Sequence, residues 1–274
     1  MSQGGAAGDK AFVGSIPKLY DTYLVPLIFA PYAADLAQRV SASRPLSVLE
    51  TAAGTGVVTR ALAPRLVQDA CYMVTDLNQP MIDHASAAQG QDGRIGWRTA
   101  DALALPFEDG TFDAVICQFG AMFFPDRIKG YREARRVLKP GGCFFFNVWD
   151  RIEENDFAAT VTDALALMFP EKPPRFLART PHAYHDIETL RSDLAGAGFA
   201  DVSNETVSAV SRAASARDPA IAYCQGTPLR GEIEALGANK LGPATDRAET
   251  VLAQRFGTGP IVGKIQAHVV TARR

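Results

Sequence analysis

Five short apolar runs between Leu46 and Trp149 alternate with segments of helical spacing, and this alternation constrains the fold more than any other feature. Strands that alternate with helices of such length are typical of a parallel sheet covered by helices on both faces. The sequence therefore predicts an α/β fold with a doubly wound sheet. The predicted strands are Ser47–Thr51, Tyr72–Asp76, Ile95–Thr99, Phe112–Gln118 and Cys143–Trp149.

The segments on either side of this core predict further elements. Ahead of it, Pro26 and Pro31 should divide an apolar helical pattern into two helices, because proline disrupts a helix interior. Behind it, residues 151–186 are rich in proline and long enough to form a lid. The predicted elements that follow are a helix at Ile187–Ala197, a strand near Ala200–Ser208, helical material at Pro219–Gln254 and a strand at Ile261–Thr271.

The composition limits the classes of partner. A formal net charge of −2 gives no excess of cations for a phosphate backbone, so we expect a small-molecule partner and no nucleic acid. The first ten residues lack the basic start and apolar run of a secretory signal. The longest apolar stretch, Leu24–Ala30, falls far short of the ~20 residues that cross a bilayer. We expect a cytoplasmic protein without a membrane span, as a monomer or a homodimer.

Four scattered cysteines show neither the paired spacing of a metal site nor the framework of a secreted disulfide protein. Cys71, Cys117 and Cys143 lie in apolar runs that predict buried strands. We therefore expect the cysteines to pack in the core, and no metal.

A ligand cradle is indicated where the first strand ends. The strand runs into Gly54-Thr55-Gly56 and then a helical segment, an arrangement that brings backbone N–H groups close to a ligand. A dinucleotide site has a third glycine three residues after the second, but Thr59 occupies that place. The pattern therefore disfavours NAD or FAD.

Asp76 closes the second predicted strand, 20 residues after Gly56. A carboxylate at this place can accept hydrogen bonds from both hydroxyls of a ribose. An aspartate after a strand is often only a helix cap, so the interpretation depends on the glycine turn upstream.

Two further runs make a resemblance specific. Thr99-Ala100-Asp101-Ala102 precedes Leu105–Asp113, and Arg136–Gly142 reads Arg-Val-Leu-Lys-Pro-Gly-Gly. With the glycine turn and Asp76, this succession resembles the class I S-adenosylmethionine (SAM)-dependent methyltransferases, in particular the small-molecule branch that includes ubiquinone and menaquinone biosynthesis enzymes. The resemblance covers Tyr20–Trp149 well. It implies a Rossmann-like sheet of seven strands with the last one antiparallel.

The resemblance also implies a set of cofactor contacts. Glu50 would orient the amino end of the methionine portion, and the turn of Thr51, Ala52, Gly54 and Gly56 would flank that portion. Asp76 would hold the ribose and Leu77 would pack on the adenine. Asp101 and Ala102 would meet the adenine edge, and Gln118 and Phe119 would lie near the transferring methyl. The cofactor would be SAM and the product S-adenosylhomocysteine (SAH).

One position departs from the family pattern. The family has a glycine two residues after the acidic residue, and this chain has Ala52. Alanine is tolerated there if the backbone angle φ is negative. Two alternatives also stay open: Asp101 could be an ordinary turn residue, and Leu105–Asp113 could serve only to position the fourth strand.

Methyl transfer from a sulfonium needs mainly alignment and exclusion of water, so a catalytic base is optional. The candidates are His182 and His185, which lie beside the predicted lid. The alternative is that Asp186 caps the next helix, that His185 begins it, and that His182 is solvated.

Aromatic residues predict an apolar substrate pocket. Met122 and Phe123 follow the fourth strand, and the carboxyl ends of parallel strands form the binding crevice of such folds. Tyr20 and Tyr23 would close this pocket from the N-terminal helix. Core packing is the alternative for all of them.

The sequence thus predicts a SAM-dependent methyltransferase that modifies an oxygen, nitrogen or carbon atom of a small, partly apolar metabolite. The alternatives are a SAM-binding protein without catalysis and a methyltransferase of protein substrates. We expect a flexible tail at 1–15 and one domain at 16–274. That domain would comprise a helical cap (16–44), the SAM-binding core (45–150), the lid (151–186) and a C-terminal part (187–274).

Overall fold

The computed structural model describes residues 16–274, apart from the side chains of Ile16 and Pro17, and the strands of this part form one seven-stranded sheet. The order across the sheet is β3-β2-β1-β4-β5-β7-β6; β1 to β5 pair in parallel and β7 is antiparallel. This confirms the predicted α/β fold and the antiparallel last strand. The strands are β1 (Ser47–Glu50), β2 (Cys71–Asp76), β3 (Ile95–Thr99), β4 (Phe112–Gln118), β5 (Leu138–Trp149), β6 (Asp201–Ala213) and β7 (Ile261–Arg273).

Helices connect the strands, and none in the described part of the chain is both long and apolar enough to span a bilayer. The α-helices are Ile16–Leu19, Ala30–Ala42, Val57–Leu62, Gln79–Gln89, Arg127–Val137, Asp156–Met168, Phe176–Arg179, Ile187–Gly196, Arg217–Gln225, Leu229–Glu234 and Leu241–Phe256. Short 3₁₀ turns lie at Ala63–Arg65, Ala121–Phe123 and Ile152–Glu154.

The N-terminal helical segment differs from the prediction. Pro26 does not separate two helices; it lies inside a ten-residue π-helical stretch, Tyr20–Phe29, which continues directly into Ala30–Ala42. The division at Pro31 is confirmed, because the α-helix Ala30–Ala42 begins there. The prediction was wrong for Pro26, because proline is a strong breaker only of the regular α-helical ladder, and a π-helical turn already departs from that ladder.

The chain divides into two compact units. The first comprises, of the described residues, 16–29, 149–183 and 208–266. In this unit the helix Asp156–Met168 packs against Leu241–Phe256, and the Phe157 and Phe256 rings meet edge to face at 5.0 Å. Residues 151–186, predicted as a lid, contain two of its helices, and their role as a lid stays a prediction. The predicted tail, 1–15, lies outside the described residues.

The second unit comprises residues 30–148, 184–207 and 267–274. Its core lies between one face of β1, β2, β4 and β5 and the helices Ala30–Ala42 and Val57–Leu62. The strand residues of this core alternate in sequence, as expected where one sheet face is buried against helices. They are Val48, Tyr72, Val74, Ala114, Ile116, Cys143 and Phe145.

The cysteines follow the prediction with one exception. Cys117, Cys143 and Cys224 are buried, whereas Cys71 is exposed. Cys71 is the first residue of β2, where the strand leaves the surface, and burial begins at Tyr72.

Candidate active site

Four polar side chains lie in a row near the carboxyl ends of adjacent strands. Asp76, Glu50, Gln118 and Asn147 belong to β2, β1, β4 and β5, which are neighbours in that order. Each lies two residues beyond a member of the apolar cluster, so all continue the same sheet face. Gln118 and Asn147 are directly paired. Asp76, Gln118 and Asn147 stand at one level of the carboxyl edge, and Glu50, which is paired with Val74 and Ile116, lies two residues below that level.

The turn after β1 is hydrogen-bonded to both neighbouring strands. The Thr51 amide donates to the Ile116 carbonyl of β4 at 2.8 Å, and the Ala53 amide donates to the Thr75 carbonyl of β2 at 3.0 Å. The Gly54 amide donates to Asp76 Oδ2 at 2.9 Å. These bonds fix the path of the glycine turn before any ligand arrives.

The two glycines of the turn have different surroundings and therefore different structural roles. Gly54 has φ +57°, and a β-carbon added there would meet no atom within 4 Å, so this position faces open space. Gly56 has φ +80°, and a β-carbon there would lie 2.9 Å from the β-carbon of Ala85. Gly54 thus suits the close approach of a ligand, whereas Gly56 permits the helices Val57–Leu62 and Gln79–Gln89 to pack.

Ala52 does not meet the condition under which alanine is tolerated. Its φ is +52°, in the left-handed region, so the alanine is strained where the family has glycine. A β-carbon on Gly120 would lie 2.5 Å from that of Ala52. The turn after β1 and the turn after β4 therefore pack closely, because the Ala52 methyl group occupies the space that a side chain on Gly120 would need.

Glu50 is buried and is held by two hydroxyl groups. Thr59 Oγ1 donates to Glu50 Oε2 at 2.7 Å, and the Tyr72 hydroxyl donates to the same oxygen. Burial raises the pKa of Glu50 to about 7, although both hydrogen bonds act in the opposite direction. Glu50 therefore gains or loses a proton near neutral pH.

Asp76 is buried and accepts hydrogen bonds on both oxygens. Oδ2 accepts from the Gly54 amide, and Oδ1 accepts from the Asn78 amide at 2.8 Å. Burial raises the pKa of Asp76, and these hydrogen bonds partly offset the shift. Oδ1 also accepts from Asn78 Nδ2 at 3.3 Å, whereas Oδ2 has a second lone pair that can accept from a ribose hydroxyl. Leu77, directly after Asp76, is 53% exposed, and its packing on the adenine stays a prediction.

Asp101 and Ala102 follow β3 beside Asp76. Thr99 pairs with Asp76, and the Ala100 amide donates to the Asp76 carbonyl at 2.9 Å. The Asp101 side chain is exposed and accepts from the Leu103 amide at 2.9 Å, which is a local turn bond. Its geometry is compatible with both the adenine contact and the ordinary turn, so the adenine contact stays a prediction.

Phe119 also adopts the left-handed conformation, with φ +50°, directly after β4. Its amide donates to the Asn147 carbonyl at 3.2 Å and to Asn147 Oδ1 at 3.0 Å. Its buried ring packs edge to face on Tyr32 at 5.4 Å. Met122 is buried and Phe123 is half-buried in the following 3₁₀ turn.

The two candidate bases differ in burial. His182, for which we considered a solvated position, is only 6% exposed and packs on Trp149 at 5.9 Å between ring centroids. Its Nδ1 lies 2.8 Å from the Asp150 carbonyl, so Nδ1 carries the proton. His185 is half-buried, and the next residue, Asp186, caps the helix Ile187–Gly196 as predicted. His182 belongs to the first unit and His185 to the second.

Tyr20 and Tyr23, predicted to close the pocket, lie in the π-helical stretch of the first unit. Both side chains are half-buried, and Tyr20 stacks on Phe29 with centroids 4.9 Å apart. Their contact with a substrate stays a prediction.

The remaining motif residues have structural roles. Arg136 donates to the carbonyls of Leu105 and Phe107 and so anchors the segment Leu105–Asp113, as one of the two interpretations of that segment required. Lys139 Nζ pairs with Asp113 Oδ1 at 2.8 Å, where Asp113 also binds the amide of Ser47 at the amino end of β1. These contacts fix the strands at the edge opposite the polar row.

Comparisons with known proteins show the family of this chain. Residues 49–146 match a family model described as a methyltransferase domain. A demethylmenaquinone methyltransferase of Clavibacter sepedonicus is 32% identical over 171 residues, which cover 59% of this chain and 69% of that protein. The chain belongs to the class I SAM-dependent methyltransferases. A ubiquinone/menaquinone biosynthesis C-methyltransferase of Acidiphilium cryptum is 31% identical, with the same 59% and 69% coverage.

Solved structures show the same methyltransferase fold. The YcgJ protein of Bacillus subtilis superposes with a TM-score of 0.54 at 18% identity and covers 88% of this chain and 98% of its own. The chain is thus an enzyme whose cofactor is SAM, as the sequence predicted.

Three residues near the site escaped the sequence analysis. In the sequence, Thr59 only interrupts a glycine pattern. Its hydrogen bond to Glu50 depends on the folded arrangement of the strand and the following helix. Tyr72 lies in an apolar run, where an aromatic residue gives no signal. Asn147 left a trace, since it is the single amide in the apolar run Cys143–Trp149.

Proposed function

We propose that this methyltransferase binds SAM across the carboxyl ends of β2, β1 and β4 and methylates a small, partly apolar acceptor beyond β4. The observation that carries the proposal is the row of Asp76, Glu50 and Gln118 on one sheet face, beside a glycine turn that is open at Gly54. Adjacent strands lie about 4.8 Å apart, so this row extends over about 10 Å, which suits a ribose at one end and a methionine portion at the other.

Several features of the site fit the cofactor. Gly54 leaves space where a side chain would stand, and the buried Thr55 hydroxyl makes no hydrogen bond within residues 16–274. A polar ligand atom would satisfy that hydroxyl at a site where burial without a partner is costly. The exposed face of Leu77 suits a purine ring. Asp76 would hold the ribose, Glu50 the ammonium group, and Asp101 with Ala102 the adenine edge.

The cofactor, when bound, supplies a methyl group on a positively charged sulfur. The protein residues then need to bind, orient and exclude water, since displacement at a methyl carbon depends chiefly on alignment. Phe119 and Met122 are buried apolar side chains at the end of β4 and keep water from the reacting atoms. The acceptor supplies the electron pair of the new bond, and the electrons of the broken carbon–sulfur bond remain on sulfur.

A proton is released if the reacting atom of the acceptor carries one. We propose that His182 or His185 takes it; in His182 the Asp150 carbonyl holds the proton on Nδ1. His185 lacks such a fixed tautomer among the described contacts, and its neighbour Asp186 serves the helix cap.

We propose a quinol-type ring as the acceptor, because the relatives are named for demethylmenaquinone and for ubiquinone/menaquinone biosynthesis. The apolar Phe119, Met122 and Phe123 suit a ring of this kind. We also propose that the enzyme acts in the cytoplasm as a monomer or homodimer; size-exclusion chromatography with light scattering tests the second point.

Calorimetry with SAM and with SAH tests cofactor binding, and both should bind in the micromolar range. Tritiated methyl transfer is then measured to a short-chain prenyl naphthoquinol, to a benzoquinol and to a primary amine of similar size. Transfer to the quinols but not to the amine is the expected result. Binding without transfer to any probe would reject the quinol assignment, and transfer to protein in an extract would favour a protein acceptor. Absence of binding would overturn the placement of the site.

A further inference from the structure

Asn147 stands at the end of the polar row, one strand beyond Gln118 and on the side opposite the proposed ribose site. The order along the sheet runs from Asp76 through Glu50 to Gln118. In the proposed binding mode, the ribose of the ligand therefore lies at β2 and its methyl group lies toward β4. Asn147 consequently occupies the side on which the methyl acceptor would lie.

The orientation of the Asn147 amide follows from its neighbour. The Phe119 N–H can only donate, so the atom that faces it at 3.0 Å is the amide oxygen. The Asn147 carbonyl accepts from the same N–H at 3.2 Å. Both acceptors of one residue thus hold one amide.

This amide belongs to a strained residue. Phe119 has φ +50°, which costs a residue other than glycine about 1–2 kcal/mol. The conformation persists only where the surroundings impose it, and the paired bonds that the Phe119 amide donates to Asn147 contribute to this. They determine where the Phe119 ring points, and the ring packs on Tyr32 in that position.

Asn147 itself carries a second cost. It is completely buried, and its Nδ2 has no hydrogen-bond partner within residues 16–274. A buried donor without a partner costs about 1–3 kcal/mol. A leucine of similar size would avoid that cost, so stability does not account for the amide. Backbone strain at Phe119 and an unpaired buried donor at Asn147, two residues that are hydrogen-bonded to each other, are together typical of a functional site.

We propose that Asn147 is a positioning residue that holds Phe119 in its left-handed conformation against the reacting end of the bound cofactor. The inference rests on the proposed function, because it uses the placement of the methyl group beside β4. Loss of the Asn147 oxygen should release Phe119 to an ordinary negative φ and move its ring. The alignment of acceptor and methyl group would then fail, while the ribose and adenine contacts near Asp76 would remain.

The decisive variants are Asn147→Leu, which removes the oxygen, and Asn147→Asp, which keeps an oxygen in its place. We expect Asn147→Leu to lower kcat for the naphthoquinol at least tenfold and to leave the Kd for SAM within threefold. Asn147→Asp should restore kcat to within threefold of the original enzyme. The matched control is Phe144→Leu, a buried change on the opposite face of β5, which should lower stability but not kcat.

A second measurement needs no acceptor. Hydrogen exchange at the Phe119 amide should accelerate at least tenfold in Asn147→Leu and remain slow in Asn147→Asp. Equal exchange in all three proteins would overturn the inference, and so would an unchanged kcat in an active Asn147→Leu enzyme. If the original enzyme methylates no probe, the acceptor assignment fails, and the exchange experiment still decides whether Asn147 holds the turn.

Discussion

The methyl group of Ala52 occupies the space into which a side chain on Gly120 would project, with 2.5 Å between the two β-carbon positions. Ala52 follows β1 and Gly120 follows β4, which are adjacent strands. The turn proposed to flank the methionine portion and the turn proposed to lie beside the acceptor are thereby in direct contact. The contact has a cost, because Ala52 holds a left-handed backbone that glycine would adopt freely.

Ala52→Gly should therefore stabilise the protein. Relief of the left-handed strain gains about 1–2 kcal/mol, and the greater freedom of glycine in the unfolded chain returns about half of this. We expect the free energy of unfolding in urea to rise by roughly 0.5–1 kcal/mol. The control is Ala53→Gly, at a neighbouring residue without positive φ, which should destabilise. Equal losses in the two variants would contradict the strain at Ala52.

Gly56→Ala should destabilise by roughly 2–4 kcal/mol, because it adds left-handed strain and an overlap with Ala85. The β-carbons would lie 2.9 Å apart. Ala85→Gly removes the overlap, so the double variant should be more stable than the sum of the single changes predicts. Urea unfolding of the four proteins measures this coupling. Strict additivity would show that the two helices do not meet at this point.

Asp76→Asn should weaken the binding of both SAM and SAH by at least roughly 30-fold, which corresponds to about 2 kcal/mol of charge-assisted hydrogen bonding. The amide nitrogen can no longer accept from a ribose hydroxyl. Asp69→Asn, at an exposed turn, serves as the matched control and should bind both ligands normally. An unchanged affinity in Asp76→Asn would remove Asp76 from the ribose site.

The affinity for SAM should depend on pH through Glu50. Its pKa in the free protein is about 7, and the ammonium group of the methionine portion attracts only the ionised carboxylate. Affinity should therefore fall below pH 7, by up to tenfold per pH unit, and level off above it. Calorimetry at several pH values measures the slope. Glu50→Gln should bind weakly with no such slope, and a parallel slope in that variant would assign the titration to another group.

The same shift predicts the stability of the free protein. Burial raises the pKa of Glu50 above its ordinary 4.5, so its contribution is fully present below pH 4.5 and is lost as pH rises through about 7. Glu50→Gln should remove this part of the pH dependence of unfolding. Bound SAM should oppose the loss, because it stabilises the ionised form.

β1, β2 and β4 were predictable because each is a largely apolar run beside turn residues, and β3 and β4 have the predicted limits. The cofactor landmarks were predictable because they follow those strands directly. Features that depend on contacts distant in sequence were not. The left-handed Ala52, the burial of His182 and the bond from Phe119 to Asn147 arise only when separate strands or segments meet.

The hydrogen bond from the Gly54 amide to Asp76 gives one carboxylate two tasks, because the group proposed to hold the ribose also fastens the glycine turn across 22 residues of sequence. Folding alone therefore arranges the cofactor site. Little conformational entropy remains to be lost when the ligand arrives, so association should be rapid and its free energy should reflect contacts rather than ordering. The glycine turn of the proposed cofactor site is therefore already in place before the cofactor binds.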